Sequence, residues 1–306
     1  MPETGQLDDF QHESLFIPIS DQARLHLKRI AGDLQGPPVF MIHGSIENGR
    51  IFYSKKGKGF GPYLARQGFD VFIADLRGKG QSTPPIDQHA TFSQTDAIRE
   101  DIPAFLSKIN GIKGEQPIHF VAHSWGGVLF LAHLARRPAT VDIGSMVMFG
   151  TKRRISVFNR QRFVQIDVLW SVVWRTLVSI YGYLPADRFA FGADNESRKV
   201  FHQTTKWIYN KQWIDPEDSF DYGAALRKIT LPPALYLTGV NDYCLGHKKD
   251  VQLLMGETGQ PHHAFWLLGK ANGNRADYNH VDILTHPQAP NDHFPDVEKW
   301  MRRQRQ

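Results

Sequence analysis

The segment Ala122-His123-Ser124-Trp125-Gly126-Gly127 places a serine between two apolar runs. A serine on a sharp turn from a strand into a helix projects its hydroxyl group at the carboxyl end of a parallel sheet, where ligands bind. Such a turn needs small residues two positions before and two positions after the serine. Gly126 meets this need, and Ala122 differs from the more common glycine by one methyl group. The spacing therefore predicts that Ser124 is a nucleophile.

A base and an acid that suit this nucleophile follow later in the chain. A serine hydroxyl attacks well only when a base accepts its proton, and a histidine serves near neutral pH if a carboxylate fixes its tautomer. Asp242 follows one apolar run, and His280 lies in the loop after the last one. The order Ser124, Asp242, His280 is that of the triad in one large class of hydrolases. We predict that His280 is the general base and that Asp242 orients it.

Other residues of the same types compete for these two roles. His286 and His293 follow closely after His280, which is favoured by its position just behind the last predicted strand. Asp75 ends an earlier apolar run and is the competing acid, although Asp75-Leu76-Arg77-Gly78 is more typical of a loop. Cys244, two residues after Asp242, is interpreted as a small packing residue.

The segment His43-Gly44-Ser45 follows the first apolar run and is a candidate for binding negative charge. Attack on an ester carbonyl places that charge on oxygen, and each backbone N–H aimed at it contributes about 3 to 4 kcal/mol. We predict that the N–H groups of Ser45 and Trp125 form this oxyanion hole, with Ile46 as the alternative to Ser45. An ordinary turn at the end of a strand is the other interpretation.

Short apolar runs alternate with helical segments along most of the chain. Strands are predicted at 38–42, 69–74, 117–122, 145–149, 234–238 and 264–268, and helices at 60–67, 95–109 and 125–136. This alternation indicates an α/β fold whose mostly parallel sheet is covered on both faces. Residues 14–30 alternate like a hairpin at the edge of that sheet.

Residues 152–230 interrupt the alternation. They contain four of the seven tryptophans and a helix-like stretch at 164–183. The simplest placement is a helical cap over the carboxyl ends of the strands. The predicted organisation is a first part of the core at 1–151, the cap at 152–230, and a second part of the core at 231–306.

The helix-like stretch of the cap is predicted to line a substrate pocket. Its apolar residues at helical spacing build one face, made of Val168, Leu169, Val172, Val173, Leu177 and Ile180. We expect this face to contact an apolar acyl group, with Trp170, Trp174 and Leu177 as substrate-binding residues. Aromatic side chains that only attach the cap to the core are the alternative.

Composition excludes several classes of protein. A formal charge of +5 over 306 residues, without long basic runs, does not predict nucleic-acid binding. A single cysteine excludes an intramolecular disulfide, and the first twenty residues lack the apolar stretch of a signal peptide, so we expect a cytoplasmic protein. The stretch 164–183 is interrupted by Gln165, Asp167 and Arg175, which argues against a transmembrane helix. Stable membrane insertion is not predicted, whereas transient contact with a membrane surface remains open.

Two groups of basic residues are interpreted as solvated faces. One comprises Lys152, Arg153, Arg154, Arg160 and Arg162, and the other comprises Arg302, Arg303 and Arg305. A patch for a membrane surface or an anionic ligand is the alternative.

Taken together, these motifs resemble the α/β-hydrolase superfamily of serine esterases and lipases. The segments that carry the resemblance are His43-Gly44, Asp75-Leu76-Arg77-Gly78-Lys79-Gly80-Gln81-Ser82, Ala122 to Gly127, and Tyr278-Asn279-His280-Val281-Asp282 with Phe294-Pro295-Asp296-Val297 and Trp300. The last group is similar to the C-terminus of acid-lipase-type and esterase members. The resemblance implies an eight-stranded sheet, a variable cap after the sixth strand, and hydrolysis without a metal or an organic cofactor.

The resemblance implies a class of reaction and leaves the substrate open. Ser124 argues against the aspartate nucleophile of dehalogenases and epoxide hydrolases, and against the cysteine of polyester synthases. We expect a serine hydrolase that cleaves a small-molecule ester or lipid with an apolar acyl group through an acyl-enzyme. Thioester hydrolysis or acyl transfer by the same triad, and a non-catalytic hydrolase-fold protein that binds lipid, are the alternatives. The sequence does not define the oligomeric state.

Overall fold

Eight strands form one mostly parallel sheet in the computed structural model, which describes residues 10–21, 23–138, 142–260 and 263–304. Their bounds are β1 Gln11–Pro18, β2 Arg24–Ala31, β3 Pro38–Ile42, β4 Asp70–Asp75, β5 Ile118–His123, β6 Ile143–Phe149, β9 Ala234–Gly239 and β10 Ala264–Leu268; a separate two-stranded ladder pairs β7 Tyr183–Leu184 with β8 Glu196–Ser197. The strand order in the large sheet is β1-β2-β4-β3-β5-β6-β9-β10. Within this sheet β2 alone runs opposite to the other seven strands, because it pairs antiparallel with both β1 and β4. The predicted hairpin at 14–30 is therefore confirmed as β1 and β2.

The central strands are apolar throughout because both faces of the sheet are covered. Every residue of β3, β4 and β5 is buried, as expected for parallel strands between two layers of helices. Alternate residues of β3 point to opposite faces: Phe40 and Ile42 join one hydrophobic cluster, and Val39 and Met41 join the other. The predicted strands match the observed ones to within two residues at each end.

Helices cover the sheet on both sides. The principal ones are Phe60–Arg66, Ile102–Lys113, Trp125–Arg136, Arg160–Tyr181, Arg198–Tyr209, Tyr222–Leu226, Lys248–Thr258 and Phe294–Arg303, with shorter helical pieces at Gly49–Ile51, Gln94–Asp96, Ala97–Asp101, Lys270–Asn272, Asp282–Thr285 and Ala289–Asn291. The predicted helix at 125–136 is confirmed at both ends. The one predicted at 95–109 is longer, because π-helical winding at Ala97–Asp101 leads without a break into Ile102–Lys113.

The segment between β6 and β9 is mainly helical and is tied to the core by a buried arginine. Arg153 is fully buried, forms an ion pair with Glu257 at 2.5 Å, and donates to the carbonyl groups of Trp207 and Asn210 at 2.9 Å. The basic residues between positions 152 and 162 were predicted to form a solvated face. This prediction is wrong for Arg153, and also for Lys152, which is 5% exposed. Both side chains pack inward, and Arg153 obtains the acceptors that a buried charge requires. The division of the chain into core and cap stays a prediction.

The orientation of the helix Arg160–Tyr181, called the cap helix below, differs from the sequence prediction. Four of the six residues assigned to the pocket face are exposed: Val168 at 38%, Val172 at 59%, Val173 at 41% and Ile180 at 70%. The reason is the winding of Phe163–Trp174, which is π-helical with i→i+5 hydrogen bonds. An α-helical period of 3.6 residues assigns faces incorrectly over such a stretch.

Candidate active site

Ser124 alone forms the turn between β5 and the helix Trp125–Arg136. Its backbone lies in the left-handed region, with φ 49° and ψ −119°, a conformation that costs a non-glycine residue about 1 to 3 kcal/mol. The turn is fixed because the Ser124 N–H donates to the carbonyl oxygen of Phe149 at 2.8 Å. Strain of this kind accumulates at functional sites, and here it presents the hydroxyl group to a cavity.

The small residues around Ser124 are required by close packing. A Cβ atom on Gly126 would lie 2.5 Å from the carbonyl oxygens of both His43 and Ile42, so no larger residue fits there. Ala122 is fully buried between β3 and β6, in register with Ile42 and Met148. Its methyl group is accommodated, so the departure from glycine leaves the turn intact.

Strand order brings the predicted acid and base to the same edge of the sheet. β9 and β10 are neighbours, and the loop after β10 folds back over the end of β9, where the Asn241 N–H donates to the carbonyl oxygen of Tyr278 at 2.9 Å. A Cβ atom on Gly239 would lie 2.0 Å from that same oxygen, so glycine permits the approach. As a result, His280 Nδ1 lies 2.5 Å from Asp242 Oδ2.

The protonation states of this pair follow from burial and from each other. Burial raises the pKa of Asp242, but the adjacent His280 ring, the Gly246 N–H and Lys152 outweigh it and hold that pKa below its ordinary value. Burial lowers the pKa of His280 despite the carboxylate beside it. At neutral pH Asp242 is therefore ionised and His280 neutral, with Nδ1–H donated to the carboxylate and Nε2 free to accept a proton.

Ser124 and His280 line one cavity of about 450 Å³. Oγ of Ser124 makes no hydrogen bond to any residue that the structure describes, and such contacts are often long in a site without substrate. The apolar residues that line the cavity are Ile46, Trp125, Ile155, Ile166, Leu169, Trp170, Trp174, Phe191, Ala193, Ile208, Leu245 and Val281. Two of the three predicted substrate-binding residues, Trp170 and Trp174, thus line the cavity; Leu177 is half-buried and lies outside its lining.

The predicted oxyanion donors lie on the same cavity. Trp125 is the first residue of its helix, where N–H groups have no partner within the helix. Ser45 follows β3, the neighbour of β5, and also lines the cavity. The alternative donor, the Ile46 N–H, already donates to Glu196 Oε2 at 3.3 Å, which favours Ser45.

A second histidine–carboxylate pair, missed in the sequence, lies beside the first. Glu47 Oε2 accepts hydrogen bonds from His123 Nδ1 at 2.8 Å and from the Gly44 N–H at 2.9 Å. His123 Nε2 lies 2.9 Å from the carbonyl oxygen of His280. Because both partners of the His123 ring are acceptors, both of its nitrogens donate and the ring carries a positive charge.

The pKa values of this second pair agree with its geometry. Burial raises the pKa of Glu47, but the charged His123 ring outweighs it and lowers that pKa to about 2. Burial lowers the pKa of His123, but Glu47 outweighs it and raises that pKa above its ordinary value. The only signal for this pair in the sequence is the position of its two residues: Glu47 closely follows the predicted oxyanion segment, and His123 precedes Ser124.

Lys152 is a further cavity residue whose role the sequence did not indicate. Its ammonium group lies 5.8 Å from the centroid of the Trp125 ring, and burial lowers its pKa. Lys152 makes no ion pair with a carboxylate among the described residues. Two of the acids that act on its charge, Asp242 and Glu47, are bonded to histidines.

The competing residues have other partners. His286 Nδ1 accepts from the Gln288 N–H at 3.1 Å, and His293 Nε2 lies 2.8 Å from the carbonyl oxygen of Ile283. Asp75 accepts hydrogen bonds from His26 and from the N–H groups of Gly49 and Gln81, and so shapes a loop. Cys244 is buried in the core, where burial raises the pKa of its thiol to about 12.

Over the residues described, no group of three or more His, Cys, Asp or Glu side chains is placed to hold a metal ion.

Fold and turn geometry together define the class of protein. The sequence profile of the α/β hydrolase fold family matches residues 37–190, half of the chain, and the protein belongs to this family.

The chain is also similar to two relatives and to one solved structure. The chain is 27% identical over 164 residues to bifunctional epoxide hydrolase 2 of Rattus norvegicus, a match that covers 49% of this chain and 27% of that protein's length. It is 24% identical over 242 residues to the proline iminopeptidase of Levilactobacillus brevis, covering 71% of this chain and 77% of that protein. A thermophilic esterase from Thermogutta terrifontis superposes with a TM-score of 0.59 at 14% identity, covering 96% of this chain and 100% of the other. At this identity the structural likeness shows the fold alone.

Proposed function

We propose that this protein is a serine hydrolase that cleaves carboxylic esters with an apolar acyl group through an acyl-enzyme. The observation that carries the proposal is the contact of 2.5 Å between His280 Nδ1 and Asp242 Oδ2, on the cavity that also receives the strained Ser124 turn. In this proposal Ser124 is the nucleophile, His280 the general base, and Asp242 the group that fixes the tautomer of His280.

The reaction proceeds in two halves. Oγ of Ser124 attacks the ester carbonyl carbon while Nε2 of His280 accepts its proton, and the N–H groups of Ser45 and Trp125 stabilise the oxyanion. The tetrahedral intermediate collapses, and His280 returns the proton to the departing alcohol. A water molecule, deprotonated by His280, then attacks the acyl carbon of the acyl-enzyme. His280 returns this proton to Oγ of Ser124 as the carboxylic acid is released.

Ester hydrolysis is favoured over the reactions named for the two relatives. Epoxide opening in this superfamily uses an aspartate nucleophile, and a serine stands at position 124. An iminopeptidase must recognise a substrate amine, for which a carboxylate that is not already paired with a cation is the natural partner. Glu47, the carboxylate that lines this cavity, is already paired with the positively charged His123 ring, and its Oε2 also accepts from the Gly44 N–H. The largely apolar lining supports an apolar acyl group instead.

The dependence of kcat/KM on the length of the acyl chain tests the proposal directly. We expect Trp170→Ala and Trp174→Ala to shift the optimum of kcat/KM toward longer acyl chains, because each change enlarges the cavity. The shift should be graded, since an apolar pocket discriminates by about 1 to 3 kcal/mol per methylene group. The measurement is kcat/KM for wild type and variants on p-nitrophenyl esters and matched thioesters of graded chain length. Absence of turnover on the whole panel would contradict ester hydrolysis, and faster turnover of every thioester would favour the thioesterase alternative.

Leu177→Ala is the matched control for the acyl-length experiment. Leu177 lies on the same cap helix but outside the cavity lining, so its truncation should leave the chain-length profile unchanged. Identical profiles for wild type and all three variants, with folding preserved, would place the acyl site elsewhere.

The pH dependence tests the assignment of the base. We expect kcat/KM to rise with pH through a single ionisation, because only neutral His280 accepts a proton. Burial lowers the pKa of His280, so the midpoint should fall below the ordinary histidine value of about 6.5. Asp242, whose pKa is also lowered, stays ionised over this range. The measurement is kcat/KM against pH from about 4 to 9, and a midpoint above that ordinary value would contradict a buried, neutral base.

A further inference from the structure

The cap helix has an exposed apolar side, called the outer face below. It consists of Val164, Val168, Val172, Val173 and Ile180, which are 48%, 38%, 59%, 41% and 70% exposed. Phe158, Phe163 and Phe189 extend it at its two ends with exposed rings. Single exposed apolar residues are common on protein surfaces, whereas a contiguous set of this size marks an interaction site.

The opposite side of the same helix holds it against the protein. Trp170 stacks on Phe201 with ring centroids 4.8 Å apart, and Trp174 stacks on Phe191 at 4.4 Å. By length and composition alone the cap helix could cross a membrane, and 17% of its most apolar window is buried in the protein. Crossing would break these stacks and would expose the catalytic cavity that Trp170 and Trp174 line. A helix that lies along the membrane surface keeps these ring stacks and still covers the cavity.

Polar groups near the outer face are satisfied within the helix. The Thr176 hydroxyl donates to the carbonyl oxygen of Val172 at 2.8 Å, and the Ser179 hydroxyl donates to that of Arg175 at 3.0 Å. A side chain that enters an apolar medium must keep such bonds, because no water replaces them there. These two hydroxyl groups can therefore leave water at little cost.

A group of cations adjoins the outer face. Arg175, Arg198 and Lys206 are exposed and surround His202, whose pKa is lowered by burial and by these three charges. The one acid of the cap helix, Asp167, is paired with Arg162 at 3.1 Å. An exposed aliphatic stripe beside basic residues is the pattern of helices that lie in the interface of an anionic membrane. A protein interface would instead favour aromatic residues and Met at its centre, whereas the five outer-face residues are all Val or Ile.

We propose that the outer face docks on a lipid bilayer that carries anionic headgroups, with the cap helix lying in the plane of the interface. The docking does not depend on the catalytic assignment, since none of the five outer-face side chains lines the cavity. If the proposed esterase activity also holds, the cavity on the inner side of the helix can take its ester from the membrane.

Sedimentation with vesicles tests the docking. The full-length protein is mixed with vesicles of phosphatidylcholine alone or with about 30 mol% phosphatidylserine, and the pelleted fraction is measured at low and high salt. We expect binding to the anionic vesicles, and at least tenfold weaker binding to the neutral ones or at high salt. Val172→Glu/Ile180→Glu should weaken binding to anionic vesicles at least tenfold.

Two further double variants serve as controls. Phe16→Glu/Leu34→Glu changes two exposed apolar residues on β1 and the β2–β3 loop by the same charge and should bind like wild type. Arg175→Glu/Lys206→Glu leaves the outer face intact and should remove the preference for anionic vesicles. This variant keeps the test valid if the Val172 and Ile180 changes prevent folding.

Three outcomes would overturn the docking. The wild type could stay in the supernatant with both vesicle types, or Val172→Glu/Ile180→Glu could pellet like the wild type. The third outcome is a wild type that binds no vesicles but forms dimers, which Val172→Glu/Ile180→Glu dissociates. The last would assign the outer face to a second copy of the chain. Ser124→Ala separates docking from catalysis, because it should pellet like wild type whether or not Ser124 is the nucleophile.

Discussion

Replacement of Ser124 by alanine is expected to lower kcat/KM for a p-nitrophenyl ester about 10⁶-fold, the usual cost of losing a triad nucleophile. The fold should persist, because the Ser124 hydroxyl makes no hydrogen bond to the described residues and its removal leaves no buried partner unsatisfied. The backbone conformation at φ 49° is about as costly for alanine as for serine. Steady-state kinetics and a thermal melt of the purified variant check both expectations.

Covalent labelling provides a second readout of the nucleophile. A fluorophosphonate should label wild type with one equivalent and leave Ser124→Ala unlabelled, since the reagent requires an activated serine. Ser54→Ala, in an exposed loop, is the matched control and should be labelled and active like wild type. Variant activity above about 1% of wild type would contradict the assignment, given the expected loss. An unlabelled wild type would favour a protein that binds lipid without catalysis.

Replacement of His280 by alanine should be as damaging as loss of Ser124, because without the base the hydroxyl keeps its proton. The two losses should not add: Ser124→Ala/His280→Ala should be about as active as either single variant, since the residues act as one unit. His280→Ala also removes the partner of Asp242 and leaves that carboxylate with the Gly246 N–H as its remaining hydrogen-bond donor. The measurement is kcat/KM for the three variants at the pH optimum of wild type.

The competing histidines supply the controls for this prediction. His286→Ala should have little effect, because the lost hydrogen bond is local to its own loop. His293→Ala removes a buried contact with the carbonyl oxygen of Ile283, so its melting temperature should fall while its activity below that temperature is retained. If instead His286→Ala or His293→Ala is inactive and His280→Ala is active, the base has been assigned to the wrong residue.

Local sequence patterns predicted the parts of this protein that depend on local structure. Two apolar runs encode the strand before Ser124 and the helix after it, and Gly126 marks the close approach of β3. Asp242 and His280 were predicted to lie together because each follows a predicted strand of the parallel sheet. Since parallel strands end at one edge of a sheet, their sequence positions were enough to bring the two residues together.

Features that depend on distant contacts could not be predicted. The Arg153–Glu257 ion pair joins residues that no local pattern connects, so the sequence alone predicts a solvated arginine where the structure has a buried one. The pairing of Glu47 with His123 was missed for the same reason. The cap helix illustrates a different cause: it is apolar nearly all round, so only its packing and its π-helical winding decide which side faces the cavity.

The Glu47–His123 pair has a consequence for redesign of the substrate range. Through Gly44, Glu47 holds the loop that carries the Ser45 N–H, and through His123 it supports the backbone of His280. One carboxylate therefore holds both the loop that carries the proposed oxyanion donor and the backbone of the proposed base, although these are distant in sequence. Enlarging the cavity at Glu47 would perturb both at once, whereas Trp170 and Trp174 offer positions where selectivity can change without disturbing the catalytic geometry.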